Sequence, residues 1–513
     1  MSHGQPQRVL GGTMAALFLA AFGNTIVATL LPTIIADLGG FELYAWPSTA
    51  YMVTSTTALP IAGKLGDLYG RRPVFLFGVA AITISSLPVA LSQSMDQLIL
   101  FRAIQGIGGG AIMVTSIAAA GDLAPPEERG RYHGIVGAVF SLAALAGPLV
   151  GGFIIDHFHW RWAFLINLPL GMVVWIMLAG GYPHPSGQGE ERLRVDYPGI
   201  ALLVVATISS LLALSAAGVL YPWGSPEILG LLALGAVAGG LLLVVESRSS
   251  HAIIPLGIYR IRTVVVALAV SFLTGFVVYG SILFIPLFFQ AVQGTSAGRS
   301  GALMVPVTFG IVTGAVLSGR LLSRSGGRYY VHALWSTALA AAGMFLLSTL
   351  NPETGLAAAV ARIFTLGVGI GGVMSIFTVA VQNTVASRDL GAGTSTLQFH
   401  RAVGGTVGIA IMGAVVAQRT RSRLGDLLPK TSGAQLPEGW FESAMGAGTP
   451  IVSGPSAGTG LADAVADHFT HALAGALGEA FALAAAVAGL SLVATLFLPR
   501  RSKPPHSVSL PPS

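Results

Sequence analysis

The sequence predicts an all-α membrane protein with about fourteen transmembrane helices, arranged as two six-helix bundles with two extra central helices. Of its 513 residues, 53% are hydrophobic and only 9% are charged, whereas an ordinary soluble domain carries about 25% charged residues. Apolar runs of about 20 residues, the length that crosses a bilayer, recur along the whole chain. The two halves of the chain also share a motif pattern on either side of a linker.

Fourteen apolar runs satisfy the length requirement for a membrane span. Charges are few within these runs, and the chain contains 67 glycines. Glycine is common in packed membrane helices because it lets backbones approach closely. An even number of spans places both termini on one side of the membrane. The predicted spans are residues 10–32, 45–62, 74–92, 98–120, 132–155, 163–181, 198–219, 226–245, 263–288, 300–322, 330–349, 356–384, 392–416 and 472–498.

The positions of Lys and Arg predict the orientation. Eighteen of the 27 basic residues are assigned to the side of the termini, six to the other side and three to the interior of spans. Cytoplasmic loops carry an excess of Lys and Arg, so both termini are expected in the cytoplasm. The segment 419–471, rich in Gly, Ser, Pro and Ala, then faces outward. It is expected to be flexible, as either a mobile tether or a segment that handles substrate or docks a partner.

A degenerate internal repeat relates the two halves. "GKLGDLYGRR" begins at Gly63 and is echoed by "GRLLSRSGGR" at Gly319, and "RAIQGIGGG" from Arg102 is echoed by "RIFTLGVGIGG" from Arg362. Two similar membrane halves joined by a linker indicate a transporter that works by alternating access. The predicted domains are an N-terminal bundle (1–181), two inserted helices with flanking loops (182–250), a C-terminal bundle that includes 419–471 (251–498) and a cytoplasmic tail (499–513).

A charged loop follows the second span and is a candidate cytoplasmic gate. Glycines permit a tight turn there, and a carboxylate paired with arginine can hold two elements together. The alternative is a simple turn whose charges set the topology, but the second copy at 319–328 favours the gate. The candidate gate residues are Gly63, Asp67, Gly70, Arg71 and Arg72.

Five polar side chains within or near spans are candidates for coupling or for lining a cavity: Arg102, Gln105, His400, Arg401 and Glu479. A charge at membrane depth costs about 2.5–3.5 kcal/mol, so Arg102 is expected to face a cavity or a partner; the alternative is snorkelling to the outer interface. Glu479 is the one acid expected clearly within an apolar run, as either a proton site or an interfacial acid. His400 and Arg401 either share protons or cap a helix.

The first span contains an uncharged polar notch in "FLAAFGNTIVATLLPT". Asn24 and Thr25, together with Asn167 of the sixth span, are the candidate cavity residues. Gly23 before them either forms part of a cavity wall or lets a neighbouring helix pack closely. None of these side chains can titrate.

The fifth span contains "AGPLVGG", whose Gly147 and Gly151 are four residues apart. Small residues at this spacing form a face for close helix crossing, and Pro148 is expected to bend the helix. Gly147, Pro148, Gly151 and Gly152 are therefore predicted to pack against another helix.

As a set, these motifs resemble the signatures of the major facilitator superfamily. They are "GKLGDLYGRRP", "FRAIQGIGGG", "AGPLVGG" and "WRWAFLINLPLG". The fourteen-span layout and "TVAVQNTVASRDLGAGTSTLQFHRAVGGTVGIA" at 378–410 resemble the drug–proton antiporter branch of multidrug exporters. The resemblance implies two six-helix bundles around a central cavity. It also implies proton-driven expulsion of lipophilic compounds.

Two positions acquire a meaning from that resemblance. Residues 147–152 match the motif that the family associates with antiport rather than uptake. Gly23 stands where the family usually has an aspartate that is taken as a proton or cation site. Coupling in this chain is therefore expected to use another group, with Glu479 and Asp67 as candidates, or to be weak.

The expected function is proton-coupled export of hydrophobic or amphipathic small molecules. The alternatives are an uptake carrier or uniporter for a specific metabolite, a lipid or amphiphile exporter, and a membrane scaffold or receptor without transport. An ATP-driven pump is disfavoured because no G-x-x-x-x-G-K-[ST] loop is present, and no nucleophile motif indicates an enzyme. The expected location is the bacterial cytoplasmic membrane, as a monomer whose partners are substrate, protons and lipid.

Neither a cofactor nor a metal is expected. The chain contains no cysteine, which excludes disulfides and thiolate metal sites. A nucleic-acid partner is also not expected, although the net charge is +6. The basic residues lie at the ends of apolar runs instead of clustering on one face.

Overall fold

The computed structural model describes residues 5–38, 43, 46–123, 129–181, 195–218, 220–249, 252–295, 302–324, 329–386, 389–427 and 460–500. Within these ranges the regular elements are helices, and one isolated bridge pairs Ala217 with Tyr221. A 3₁₀ helix at Leu256–Arg260 and a π-helical turn at Phe288–Val292 flank the tenth helix.

Fifteen α-helices are numbered here in chain order. They are α1 (Gln5–Leu38), α2 (Trp46–Tyr69), α3 (Arg71–Ala90), α4 (Met95–Leu123), α5 (Arg129–His157), α6 (Trp162–Leu165), α7 (Asn167–Gly181), α8 (Tyr197–Ala216), α9 (Pro226–Arg248), α10 (Arg262–Leu287), α11 (Val305–Arg324), α12 (Tyr329–Ser348), α13 (Leu356–Gln382), α14 (Leu390–Leu427) and α15 (Gly460–Leu496).

Thirteen of the described helical segments are long and apolar enough to cross a membrane. They correspond to the predicted spans except 45–62, which lies in α2, where Ser and Thr interrupt the apolar run. Within the predicted span 163–181, Ile166 separates α6 from α7 but keeps helical backbone angles (φ −62°, ψ −23°), so Trp162–Gly180 remains one candidate span with a local irregularity. Pro169 has no N–H to donate to the carbonyl four residues earlier, which accounts for the irregularity. The chain is thus a multi-pass membrane protein.

The prediction for residues 419–471 is wrong at both ends of that segment. Helix α14 continues to Leu427 and α15 begins at Gly460, so both extend well beyond the predicted spans 392–416 and 472–498. Hydropathy defines only the part of a helix inside the bilayer, and polar turns can continue beyond it. Residues 428–459 lie outside the described part of the chain.

The helices pack in two groups. Helix α4 packs against α2 and α3, and α1 packs against α4, α5 and α7. In the second group α13 lies against α11 and α12, while α10, α14 and α15 pack on one another. Helices α8 and α9 form a pair, and α8 contacts both α2 and α14. This arrangement confirms the predicted fold class of two bundles with two extra helices.

Glycine-rich helices occupy corresponding places in the two groups. In α4, a side chain at Gly108 would collide with the backbone of α3, and one at Gly110 with the backbone of α2. In α13, a side chain at Gly371 would collide with the backbone of α11, and one at Gly369 with the backbone of α12. Such residues let helix backbones approach closely. The sequence repeat therefore marks the helix that is held between two neighbours in each bundle.

Candidate functional site

Asp67 joins the end of α2 to the start of α14. Its Oδ1 accepts a hydrogen bond from the backbone N–H of Gly391 (2.9 Å), and its Oδ2 accepts one from Ala392 (2.7 Å). These N–H groups belong to the first turn of α14, where they have no partner within the helix and where a negative charge is favourable. One carboxylate therefore links the two bundles at one end of the molecule, called here the Asp67 end.

Arg71 holds the Asp67 carboxylate in place. Its Nη2 lies 2.7 Å from Asp67 Oδ1, and its Nε lies 3.0 Å from Oδ2 of Asp122 at the end of α4. Asp67 lies beyond the predicted span, and burial raises the pKa of its carboxyl, whereas Arg71 and the two backbone N–H groups act in the opposite direction. Four helices, α2, α3, α4 and α14, and both bundles thus meet through one network of ion pairs and hydrogen bonds.

The other gate candidates shape the same end. A Cβ at Gly63 would lie only 2.8 Å from the carbonyl oxygen of Gly391, so glycine is required for this approach of α2 to α14. Gly70 has φ of 85° in the turn between α2 and α3, a conformation that favours glycine. Arg72 Nη2 donates to the carbonyl oxygen of Ala179 near the end of α7 (2.5 Å). The bundles also meet along α5 and α11.

Arg102 is buried in the first bundle, with 1% of its surface exposed. Its Nη1 donates to Oε1 of Gln105 (2.9 Å) and to the carbonyl oxygen of Gly23 (3.4 Å). Its Nη2 donates to Oδ1 of Asn24 (3.4 Å), and the guanidinium carbon lies 4.4 Å from the ring centroid of Tyr51. Arg102 therefore does not snorkel to the surface in this conformation.

No carboxylate among the described residues pairs with Arg102; its neighbours are neutral. Gln105 Nε2 donates to Oγ of Ser86 (2.8 Å), and Asn167 Nδ2 donates to the same hydroxyl (3.3 Å). Asn167 Oδ1 is buried and has no hydrogen-bond partner. Predicted cavity and coupling residues from α1, α4 and α7 thus form one buried polar network around an unneutralised cation.

The notch in α1 lies directly against this network. Asn24 is exposed although it lies in the middle of a spanning helix, and an exposed amide at that depth is expected to face a water-filled path rather than lipid. Gly23 is buried, and a Cβ placed on it would have Asn167 Nδ2 as its one neighbour within 4 Å, at 3.7 Å. Gly23 therefore leaves room beside Arg102 and is not required for helix contact.

Thr25 and the glycines of α5 form the contact between α1 and α5. Thr25 Oγ1 donates to the carbonyl oxygen of Ala143 (3.0 Å), and a side chain at Gly147 would collide with Thr25. A Cβ at Gly151 would lie 3.1 Å from Ile26 Cγ1, whereas one at Gly152 would meet nothing within 4 Å. Thr25 thus packs between helices, and Gly152 does not share the packing face. The side chain of Pro148 lies outside the described residues.

The second bundle contains its own buried arginine. Arg401 of α14 is 5% exposed; its Nη1 donates to Oε1 of Gln398 (2.5 Å), and its Nε has no hydrogen-bond partner. His400 shares a hydrogen bond between its Nδ1 and the carbonyl oxygen of Thr396 (2.8 Å), and its ring centroid lies 6.1 Å from that of Tyr259. His400 and Arg401 thus lie within the helix interior and not at its cap.

Glu479 lies apart from both arginine networks. Its Oε2 is 2.8 Å from Arg419 Nε, and its Oε1 is 2.5 Å from Arg423 Nη2. The prediction that Glu479 is the only acid clearly within an apolar run is wrong, because Glu246 lies within the span of α9 and is 4% exposed. The apolar run 226–245 stops one residue before it, and only the continuation of α9 to Arg248 reveals its position.

Comparison with known proteins identifies the family. Residues 13–409 match the family model described as Major Facilitator Superfamily. The multidrug transporter protein MdtP of Bacillus subtilis (strain 168) is 37% identical over 420 residues, covering 82% of this chain and 77% of that protein. Multidrug resistance protein 3 of the same organism is 35% identical over 426 residues, covering 83% and 82%.

A solved structure shares the fold. The crystal structure of the human organic anion transporter MFSD10 (TETRAN) superposes with a TM-score of 0.63 at 16% sequence identity, covering 96% of this chain and 99% of that one. Identity at this level indicates a common fold and nothing about substrate. Together with the match over residues 13–409, it leads to one conclusion: the chain belongs to the major facilitator superfamily.

Proposed function

We propose that this protein is a secondary active exporter of hydrophobic or amphipathic small molecules that works by alternating access. The observation that carries the proposal is the Asp67 contact, in which a carboxylate of one bundle binds the helix N-terminus of the other. A contact built from one side chain and two N–H groups can open and re-form as the bundles rock. The names of the two Bacillus relatives support export as the direction.

The Asp67 end is assigned to the cytoplasm, so the structure represents a conformation closed on that side. The assignment rests on the excess of Lys and Arg in the loops on this side. Both termini are then cytoplasmic, in a bacterial cytoplasmic membrane. The domain division is proposed at the predicted boundaries, 1–181, 182–250, 251–498 and 499–513. The protein is taken to act as a monomer on lipophilic substrates.

Export driven by a proton gradient is tested in inverted membrane vesicles, whose cytoplasmic face is outside. A fluorescent lipophile should accumulate in vesicles that contain the protein when the interior is acidified, and a protonophore should abolish the accumulation. Vesicles without the protein are the control. Equilibration independent of the pH gradient would indicate a uniporter, and no flux at all would indicate a protein without transport.

Substrate charge is expected to matter. Arg102 and Arg401 are buried without a carboxylate partner among the described residues, so the polar centre of each bundle is positive. A dication gains no neutralising partner there and must lose its hydration. Among compounds of matched size, a dication should compete at least about tenfold less well than its neutral analogue, a difference of about 1.4 kcal/mol. Competition for export measures this, and preference for the dication would contradict it.

Gly23→Asp is expected to add a pH-dependent component to transport. The new side chain fits, because a Cβ at Gly23 has one neighbour, Asn167 Nδ2 at 3.7 Å, and it lies in the Arg102 network. A carboxyl there titrates under the opposing influences of desolvation and the guanidinium charge. Gly23→Asn is the matched control, with the same shape and no titration. Identical pH profiles for the two variants would show that the notch is outside the transport path.

A further inference from the structure

Helices α8 and α9 carry two buried acids that the mechanism above does not use. Glu246 near the end of α9 is 4% exposed, and Asp196 at the start of α8 is 9% exposed. Glu246 Oε1 accepts a hydrogen bond from Ile253 N (3.1 Å), and Asp196 Oδ1 accepts one from Gly199 N (2.8 Å) as the N-cap of α8. Each acid thus has one carboxyl oxygen that is satisfied locally.

The second oxygen of each acid is an orphan. Glu246 Oε2 and Asp196 Oδ2 are buried, and neither has a partner at hydrogen-bond distance and angle. The backbone N–H of Ile254 nevertheless lies near the Glu246 carboxylate and offsets part of its charge. The two carboxyls are close enough to repel each other, and Lys64 of α2 is the cation that attracts Glu246. A small cavity lined by Asp196, Lys64 and apolar side chains lies at the same place. Two acids and one lysine leave an excess negative charge in a buried site, which is costly unless it is neutralised.

Among the described residues, the titratable groups on the neighbouring helices provide no further positive charge that would neutralise the two acids. Tyr259 lies in the 3₁₀ helix that leads into α10, and burial with the nearby Glu246 charge raises its pKa to about 12. The Tyr259 side chain is therefore a neutral phenol at physiological pH, and it neither adds to the negative charge of the two acids nor neutralises it. Beyond it lies His400 of α14, whose ring centroid is 6.1 Å from that of Tyr259 with the two rings tilted by 52°. Arg248 on α9 is exposed to solvent.

We propose that Glu246, Asp196 and Lys64 form a proton-binding site that ties the two inserted helices to the cytoplasmic gate. One proton taken up by the carboxyl pair turns an orphan acceptor into a donor and cancels the excess charge. Lys64 connects the site to the gate, since it is in the same turn of α2 as Gly63 and one turn before Asp67. Helix α8 also contacts α14, so the site adjoins both partners of the Asp67 contact.

Burial of the two acids determines whether low or high pH stabilises the closed Asp67 end. In the conformation with a closed Asp67 end, both carboxyls are buried, and an excess negative charge is costly there. This conformation therefore binds more protons than one in which α2 and α8 separate and water reaches the acids. Acidification should stabilise the closed Asp67 end and alkalinisation should release it. The proposal rests on the alternating-access function proposed above. It supplies a group that can couple transport to protons in a chain that has Gly23 in place of the usual aspartate of the first span.

Electron–electron distance measurements on spin labels test the site without any substrate. The chain has no cysteine, so Gln93→Cys and Asn351→Cys place the labels uniquely. Both positions are exposed, in loops of different bundles at the end opposite Asp67. Between about pH 8 and about pH 5, the population with widely separated labels should rise in the otherwise unchanged protein.

Glu246→Gln should fix the widely separated population at all pH values, because glutamine imitates the protonated acid and its Oε1 can still accept from Ile253. Asp196→Asn, which keeps the helix cap, is a second variant with the same expected loss of pH dependence. Glu227→Gln is the control, since Glu227 is an exposed acid in the first turn of the same helix. A wild-type titration in both Glu246→Gln and Asp196→Asn would overturn the proposal.

Sodium in place of a proton would also overturn it. The titration is therefore repeated with choline chloride replacing sodium chloride, and a dependence on sodium rather than pH identifies a metal-cation site. Because no transport is measured, failure of lipophile export in vesicles leaves this result interpretable. Conversely, export with an unaltered titration in both variants refutes the site and leaves the exporter proposal intact.

Discussion

Arg102→Ala is expected to lower export at least tenfold and up to about 100-fold, without preventing membrane insertion. Removing the guanidinium leaves Gln105 Oε1 and the carbonyl oxygens of Pro47 and Gly23 without their donor. The two carbonyls lie within α1 and α2, where the helix backbone supplies another donor. Gln105 Oε1 is left as an unsatisfied buried acceptor, which costs about 1–3 kcal/mol, so the polar network rearranges. A factor of ten in an equilibrium corresponds to about 1.4 kcal/mol. Initial rates of lipophile export, normalised to the amount of inserted protein, measure the loss.

Two further variants separate charge from geometry. Arg102→Lys keeps the charge but lacks the planar fork of donors, so intermediate export is expected. Arg362→Ala is the control at the repeat-related position, because Arg362 Nη1 donates to the last carbonyls of α12, at Leu346 (3.3 Å) and Thr349 (3.2 Å), in an exposed place. Normal export by Arg102→Ala, or an equal loss in Arg362→Ala, would remove Arg102 from the transport path.

The internal repeat explains why Arg102 and Arg362 differ although their sequence contexts match. Both arginines precede a glycine run that is held between two helices. Arg102, however, lies beside the notch of α1, whereas Arg362 reaches the end of α12. A repeat fixes the position of a side chain along its helix. The partner that the side chain meets depends on the neighbouring helix, which the repeat does not specify.

The fold could be predicted from the sequence because spans are local: an apolar run of sufficient length must be a helix in the bilayer. The sequence did not predict where helices continue past the apolar run as polar turns. Helix α14 continues to Leu427, and α15 begins at Gly460. No hydropathy signal marks where such turns end. For the same reason the predicted span 226–245 stops one residue before Glu246, although α9 continues through this residue and buries it.

The candidate site could be predicted only in part. The sequence indicated that Asp67 pairs with an arginine of the loop, without choosing between Arg71 and Arg72, and the structure pairs it with Arg71. The sequence did not indicate that Asp67 binds Gly391 and Ala392, since 324 and 325 residues separate these partners. Contacts between backbone N–H groups and a distant carboxylate leave no residue pattern at the accepting helix. Such contacts emerge only when the bundles are packed together.

Asp67→Ala is expected to destabilise the closed Asp67 end by about 3 kcal/mol, because charge-assisted hydrogen bonds contribute about 1.5–3 kcal/mol each and two to α14 are lost. The closed population then falls by roughly 100-fold relative to the open one. Ser395 is 1% exposed in the closed interface. A cysteine introduced there by Ser395→Cys in the cysteine-free chain can be alkylated only when the interface opens, so its alkylation rate measures the open population. This alkylation should accelerate by about the same factor, and export should fail.

The Asp67 contact can be broken by shape as well as by charge, which distinguishes a gate from a turn whose charges only set topology. Gly63→Ala keeps every charge but places a Cβ 2.6 Å from Ser395 Cβ and 2.8 Å from the carbonyl oxygen of Gly391. Because the second contact is with the backbone, α2 and α14 must separate, and alkylation at Ser395→Cys should accelerate as well. Asp96→Ala, in the exposed first turn of α4 at the opposite end, should leave the alkylation rate unchanged. Acceleration by Asp67→Ala together with Gly63→Ala requires a closed interface between α2 and α14. If both variants react at the wild-type rate, the loop sets topology and does not gate transport.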